Sequence, residues 1–360
     1  MKRSWNFSSG PAVLPLEVLK KAQDEMLDFA DTGCSILEIS HRSKEFTAVI
    51  TEAARLTKEL LGLGDNYHVL FLQGGASSQF SMVPMNLLEK NETADYLDTG
   101  SWSAKAIKEA KLFGNVNVSF SSKAETYNRV PQSENEIKFS SNAKYIHITS
   151  NNTIYGTEYM TFPKNGNVPL IGDFSSDILS RVMDLSAFGL IYAGAQKNLG
   201  PAGVTVVIIR DDFIVKLKPG LPTMLSYKTH LDEQSMFNTP PCFSIYILKM
   251  VLEWIKQKGL EKIEKENREK AELVYHEIDR SGFYKPRAEK TSRSLMNITF
   301  NLASEELEKK FLDEAKKENF QTLKGHRSIG GIRASIYNAF PLEGVQKFAS
   351  FMKKFADHNK

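Results

Sequence analysis

The chain has 360 residues, 41% of them hydrophobic and 25% charged, which is enough apolar material for a large core and a smaller companion unit. With 46 basic and 43 acidic residues the net charge is +3, too balanced to point to nucleic acid or an anionic membrane surface, so an anionic ligand would have to meet local positive charge. Cys34 and Cys242 are the only cysteines, too few and too far apart for a disulfide framework or a metal site.

In chain order, Gly10-Pro11 and Pro15 punctuate the start, and Leu16 to Phe29 reads as an amphipathic helix. Phe46 to Leu61 is a second helix, stopped by Gly62 and Gly64. Tyr67 to Leu72 is a short buried strand ending at Gly74-Gly75, and helical spacing resumes from Ser77 to Leu88. The alternation continues with a strand (Ala94 to Leu97), a helix (Ser103 to Phe113) and a strand (Val116 to Phe120). Further strands follow at Tyr145 to Thr149, Leu170 to Asp173, Leu190 to Ala193 and Val204 to Ile209. Short apolar strands between helices predict a mostly parallel seven-stranded sheet covered on both faces.

After about residue 255 the character changes. Leu260 to Ile278 is a long charged helix, followed by a strand (Leu295 to Phe300), a helix (Ser304 to Glu318), a strand (Gly331 to Ile336) and a closing helix (Leu342 to Phe355). The division expected is an N-terminal arm (1–15), a large unit (16–255) and a smaller C-terminal α+β unit (256–360). MKRSWNFSSGP lacks an apolar stretch behind its basic residues, and no run approaches the roughly 18 apolar residues of a membrane helix. A cytoplasmic location is the expectation.

Chemistry concentrates at strand ends. In Ala193-Gly-Ala-Gln-Lys-Asn-Leu-Gly-Pro-Ala-Gly203, Lys197 sits among small residues between two apolar strands. Most lysines are solvated, but one confined in this way can lose its proton and form a Schiff base. Asp173 closes the strand that begins at Leu170, where ligands of parallel α/β sheets bind. A carboxylate and an amine facing one crevice is the pair that pyridoxal phosphate requires, although Asp173 could equally cap the next helix. Gln73-Gly-Gly-Ala-Ser-Ser78 opens a helix after a strand, an arrangement that offers free N–H groups to a phosphate or is a plain turn. Trp102, near a strand-to-helix turn, could stack on a planar ring or pack in the core, and Thr153 could bond to a ring substituent or lie in a surface loop.

Eight stretches in order resemble the class V, fold-type-I pyridoxal-phosphate-dependent aminotransferases, and within them the phosphoserine aminotransferase family. They are Asn6-Phe-Ser-Ser-Gly-Pro-Ala, His41-Arg-Ser, Gly74-Gly-Ala-Ser, Asn152-Thr-Ile-Tyr-Gly, Asp173-Phe-Ser-Ser, the Lys197 segment, Phe237-Asn-Thr-Pro-Pro and Gly325-His-Arg-Ser-Ile-Gly-Gly-Ile-Arg-Ala-Ser. The resemblance spans the chain and implies pyridoxal 5′-phosphate as cofactor, held through a Lys197 Schiff base. It implies that Asp173 pairs with the ring nitrogen, that Trp102 stacks on the ring and that Thr153 bonds to its hydroxyl side. Ala76, Ser77 and Gln196 would hold the phosphate, and Asn238 and Thr239 would reach the phosphate of the other subunit in a homodimer with shared active sites. Arg333 would take the substrate α-carboxylate as a bidentate fork. His41, Arg42, His326 and Arg327 would form a cationic pocket for the distal group, a carboxylate in one half-reaction and a phosphate in the other.

The activity implied is ping-pong exchange between 3-phosphohydroxypyruvate plus glutamate and phosphoserine plus 2-oxoglutarate, a step of serine biosynthesis. Some members also handle the analogous phosphorylated hydroxythreonine precursor of vitamin B6. The alternatives are another class V enzyme (a small-amino-acid transaminase or a cysteine desulfurase) and a non-catalytic phosphate-binding module. Neither cysteine lies in a stretch resembling the mobile loop that a desulfurase thiolate needs, and a small-amino-acid transaminase would leave the two His-Arg pairs without a ligand.

Overall fold

The computed structural model describes residues 3–164 and 166–359. Seven strands form the central sheet: β1 (Tyr67–Leu72), β2 (Thr93–Asp98), β3 (Asn115–Ser121), β4 (Ala143–Thr149), β5 (Leu170–Asp173), β6 (Phe188–Gly194) and β7 (Thr205–Arg210). Their order across the sheet is β1-β7-β6-β5-β4-β2-β3. Every neighbouring pair is parallel except those of β7, which runs antiparallel to both β1 and β6. Consecutive side chains of β7 alternate between two cores. Val206 and Ile208 join the cluster on one face, and Val207 and Ile209 join the cluster on the other. Burial on both faces is why these strands are apolar throughout.

Helices α1 (Leu16–Asp24), α2 (Lys44–Leu60), α3 (Gly75–Leu87), α4 (Ser101–Ala110) and α5 (Cys242–Lys258) cover that sheet. Ser43 caps α2 by accepting from the Phe46 N–H at 3.2 Å. Two expectations are corrected, and one helix is added. The first helix ends at Asp24 rather than Phe29, because the Phe29 N–H bonds to the Cys34 carbonyl at 2.9 Å and Ala30 and Asp31 take φ values of 55° and 57°. The strand expected from Leu295 starts at Asn297, because the Leu295 N–H goes to Glu158 Oε2 and the next two N–H groups to Ser294 Oγ. Helix α5, which packs along α2, did not stand out as a helix because it is buried nearly all round, with Ile245 to Leu248 and Met250 to Leu252 all in the interior.

The long helix α6 (Leu260–Ser281) carries the chain to a three-stranded antiparallel sheet of β8 (Lys285–Pro286), β9 (Asn297–Asn301) and β10 (Ile332–Ser335). Helices α7 (Glu305–Lys317) and α8 (Leu342–Asn359) complete it around a third apolar cluster. The start of the chain belongs here too: Trp5–Asn6 pairs in parallel with Phe320–Gln321, and Phe7 stacks within 4.4 Å of Phe340. Among the described residues no helix is long and apolar enough to cross a membrane.

Candidate active site

The ends of β4, β5 and β6 and the start of α3 enclose a cavity of about 570 Å³. Nine of the residues singled out in the sequence line it: Ala76, Ser77, Trp102, Thr153, Asp173, Gln196, Lys197, His326 and Arg333.

The turn before α3 depends on glycine. Gly74 has φ 90°, and a Cβ there would lie 1.9 Å from Ser78 Oγ, so both conformation and space exclude a side chain. The helix begins at Gly75, two residues earlier than its periodicity suggests, which places Ala76 and Ser77 in the first turn. N–H groups there have no intrahelical acceptor and carry the positive end of the helix dipole, a binding place for a phosphate.

Trp102 lies in the first turn of α4, also earlier than expected. Ser103 fixes that turn: its hydroxyl accepts from the N–H groups of Thr99 and Gly100, each at 2.9 Å. The Trp102 indole N–H donates to Thr153 Oγ1 at 3.0 Å, so the two residues position each other. Lys105, one turn further, holds its ammonium 4.3 Å from the Trp102 ring centroid.

Asp173 is buried. Its Oδ1 accepts the Ser175 N–H at 3.0 Å in a local turn, and Ser175 Oγ in turn accepts the Gly194 N–H at 3.0 Å. Burial pushes the Asp173 carboxyl above its ordinary value, while the Ser175 bonds and the charge of Lys197 pull it down. Desolvation lowers the Lys197 amine to about 8, against the opposing charges of Asp173 and Asp177 and with help from Arg333. Arg333, on β10, is desolvated and donates to the Thr153 carbonyl at 3.2 Å; among the described residues no carboxylate pairs with it. His326 has its proton affinity lowered by burial and then by the charges of Arg333, Arg327 and Lys105.

Five expected residues lie elsewhere. Arg327 is not part of the cavity wall. His41 Nδ1 is 3.3 Å from Thr239 Oγ1, and its buried Nε2 has no hydrogen-bond partner among the described residues. Arg42 lines a separate groove of about 400 Å³ with Asp232 and Glu233, and among the described residues the Asn238 amide donates only to the adjacent Thr239 carbonyl. Within one chain, His41 and Thr239 are thus together but away from Lys197. The sequence reading missed Ser9 and Gly10, which wall the cavity from the first residues of the chain, and Ser175, which orients Asp173. An Asp-x-Ser spacing at a strand end was the available signal for Ser175.

The Aminotransferase class-V family model matches residues 4–348. The chain belongs to the class V aminotransferases. It is similar to the phosphoserine aminotransferase of Desulfotalea psychrophila, with 57% identity over 99% of each chain. The solved phosphoserine aminotransferase from Bacillus circulans subsp. alkalophilus superimposes with a TM-score of 0.97 at 53% identity, covering all of both chains. A pyridoxal-phosphate-bound phosphoserine aminotransferase from Trichomonas vaginalis gives 0.92 at 38% identity, covering 98% of this chain and all of that one. The antiparallel strand β7 lies beside β6, with Lys197 in the turn between them.

Proposed function

We propose that the chain is a pyridoxal-phosphate-dependent phosphoserine transaminase, interconverting 3-phosphohydroxypyruvate plus L-glutamate and O-phospho-L-serine plus 2-oxoglutarate. The observation that carries this is the convergence of Lys197, Asp173, the α3 N-terminus and the unpaired Arg333 on one cavity, in a chain with full-length phosphoserine aminotransferase relatives. The residues fit the cofactor. A phosphate suits the first turn of α3, a planar ring suits the flat wall of Trp102, and a protonated ring nitrogen suits a carboxyl that burial has left short of positive charge. Gln196, beside the lysine, would add a side-chain amide to the phosphate end, and Thr153 Oγ1, which accepts from Trp102 and donates to no group among the described residues, could donate to the ring. When bound, pyridoxal phosphate supplies an aldehyde that condenses with amines and a ring that takes up the electron pair of a breaking Cα–H bond.

The chain's own residues do the rest. Arg333 takes the substrate α-carboxylate with two parallel N–H bonds and so fixes which bond at Cα faces Lys197. Lys197, brought to about 8, has about a tenth of its amine neutral at pH 7 and can accept and return the Cα proton. Asp173 holds its partner nitrogen protonated. Glutamate leaves as 2-oxoglutarate before the phosphorylated oxo acid binds, so one distal pocket serves a carboxylate and then a phosphate.

His326, in the cavity wall, supplies one side of that pocket, with Arg327 next to it, outside the wall, adding its charge. The other side, His41 and Arg42, comes from a second copy of the chain, as do Asn238 and Thr239 at the phosphate. Support for this arrangement is that neither His41 nor Thr239 lines the chain's own cavity and that, among the described residues, His41 Nε2 has no partner. A separate apolar cluster of residues 271–356, which takes in Phe7, supports a small unit (256–360) beside a large one (16–255), with the arm (1–15) packed on the small unit. The deciding measurement is a spectrum. Supplied with pyridoxal phosphate, the wild type should show a borohydride-reducible visible chromophore and exchange phosphoserine with 2-oxoglutarate faster than it exchanges alanine or serine. A colourless protein would end the reading.

A further inference from the structure

Behind the strand end that carries Asp173 lies a closed group of charges. Asp177, Glu158 and Arg181 are buried. Arg181 Nε is 3.6 Å from Glu158 Oε1, Glu158 Oε2 accepts the Leu295 N–H at 2.7 Å, and Arg181 also donates to the Tyr159 carbonyl. Arg181 thus pairs with Glu158, which burial itself raises, and among the described residues no cation lies within ion-pair distance of Asp177.

Hydrogen accounting at Ser150 then decides the state of Asp177. Ser150 Oγ touches two groups, the Asp173 carbonyl at 2.9 Å and Asp177 Oδ1. A hydroxyl has one hydrogen to give, whereas a carbonyl and an ionised carboxylate have none. The Ser150 N–H cannot fill the gap, because it already donates to the same Asp173 carbonyl at 3.0 Å. With Asp177 ionised, one of the two contacts would set acceptor against acceptor inside the protein. Asp177 Oδ2 has no hydrogen-bond partner among the described residues, which would be a bare buried charge on a carboxylate but only an unfilled carbonyl on an acid.

We propose that Asp177 is a neutral carboxylic acid that donates to Ser150 Oγ, and that Ser150 in turn donates to the Asp173 carbonyl. Asp177 is thus a positioning residue: it steadies the strand end beneath the cofactor without placing a second negative charge beside Asp173. Burial, and then the charge of Glu158, raises Asp177 to about 8 against the pull of Arg181 and Ser150, in agreement with the geometry. The charge of Asp173 also raises it, and Lys197 and Tyr337 sense the charge of Asp177 in turn.

The positioning role rests on the reading of Asp173 as the ring-nitrogen partner; the protonation state does not. Infrared difference spectra of full-length wild type and Asp177→Asn at pH 7 should show the carbonyl stretch of a protonated carboxyl in the wild type alone. Identical spectra would overturn the proposal. Asparagine keeps a donor to Ser150 and no charge, so Asp177→Asn should retain the visible absorption of the bound cofactor and bind pyridoxal phosphate within about threefold of wild type. Asp177→Leu cannot donate and should bind it roughly tenfold more weakly. Equal losses in both variants would overturn the positioning role, and the infrared comparison stands even if the leucine variant does not fold. A wild type that shows the carboxyl band but never develops a chromophore would remove the cofactor reading and the positioning role, not the proton on Asp177.

Discussion

Two lysines of this chain are pressed into low-dielectric surroundings, and they teach opposite lessons. Lys270, on α6, is 1% exposed, and burial lowers it to about 7, further than the value of about 8 at Lys197. By perturbation alone Lys270 would be the better candidate for chemistry. Its ammonium, however, donates to three carbonyls, Ile336 at 3.0 Å, Tyr337 at 2.8 Å and Phe340 at 3.2 Å. It closes the turn after β10 and is not among the residues that line the Lys197 cavity. Lys197 opens onto a cavity, and only desolvation and neighbouring charges act on it. A satisfied buried cation is a structural pin, whereas an unsatisfied one beside empty space is a reagent.

The strongest way to break this comparison is to remove each amine. Lys197→Ala should lower transamination by about four orders of magnitude or more and abolish the reducible chromophore, with little loss of stability in a urea melt. Lys270→Met should do the reverse. It strands three carbonyls, so unfolding free energy should fall by about 3 kcal/mol, while turnover per folded molecule stays within about tenfold of wild type. A Lys270 variant that is stable but inactive would refute the division. Asp173→Asn comes next. Losing the charge that holds the ring nitrogen protonated should cost on the order of 10²–10³ in kcat, with the cofactor still bound through Lys197. An unchanged kcat would remove Asp173 from the site.

The contrast between the two lysines was only half legible in the sequence. Lys197 and Asp173 could be found because Asp173 ends one short apolar strand and Lys197 follows another by three residues, and strand ends of a parallel sheet converge on one edge. Lys270 lies in a helix so rich in charge that it reads as solvated, and the carbonyls that hold it come from the Ile336–Phe340 turn, far away in sequence. The direction of β7 could have been read: residues 195 to 204 are too few for a parallel crossover, which takes a dozen or more. Ser9 and Gly10 could not, since nothing local shows that the first residues pair with Phe320–Gln321 and fold back over the cavity. Lys105 was hidden for a similar reason. One lysine in a helix carries no signal until Trp102 and His326 are placed around it.

The cationic groups around the cavity sharpen the comparison further, because among the described residues Arg333 has no ionic partner and Lys197 no hydrogen bond. Arg333→Lys keeps the charge but loses the planar fork, and should lower kcat/KM for both substrates by about 10²-fold. Arg327→Ala should weaken phosphoserine by about tenfold and glutamate less, because a phosphate dianion makes the stronger charge-assisted bonds. Equal losses for the two substrates would mean that Arg327 does not reach the distal group.

The smallest expected effect concerns protons. Lys197 titrates at about 8 in the folded chain against an ordinary value of 10.5. Between those values the unfolded chain holds a proton that the folded chain has lost, so this group makes stability rise with pH across that window. Below pH 8 the folded chain carries the full cost of a desolvated ammonium. In cofactor-free protein, Lys197→Met should therefore be more stable than wild type below pH 8, by on the order of 2 kcal/mol, and the two should converge as pH approaches 10.5. The same titration governs capture of the cofactor, which needs the neutral amine: its rate in wild type should climb with pH and level off above about 8. A rate that keeps climbing towards pH 10.5 would mean that Lys197 is solvated like any surface lysine, and what sets it apart from Lys270 would then be exposure rather than an unmet charge.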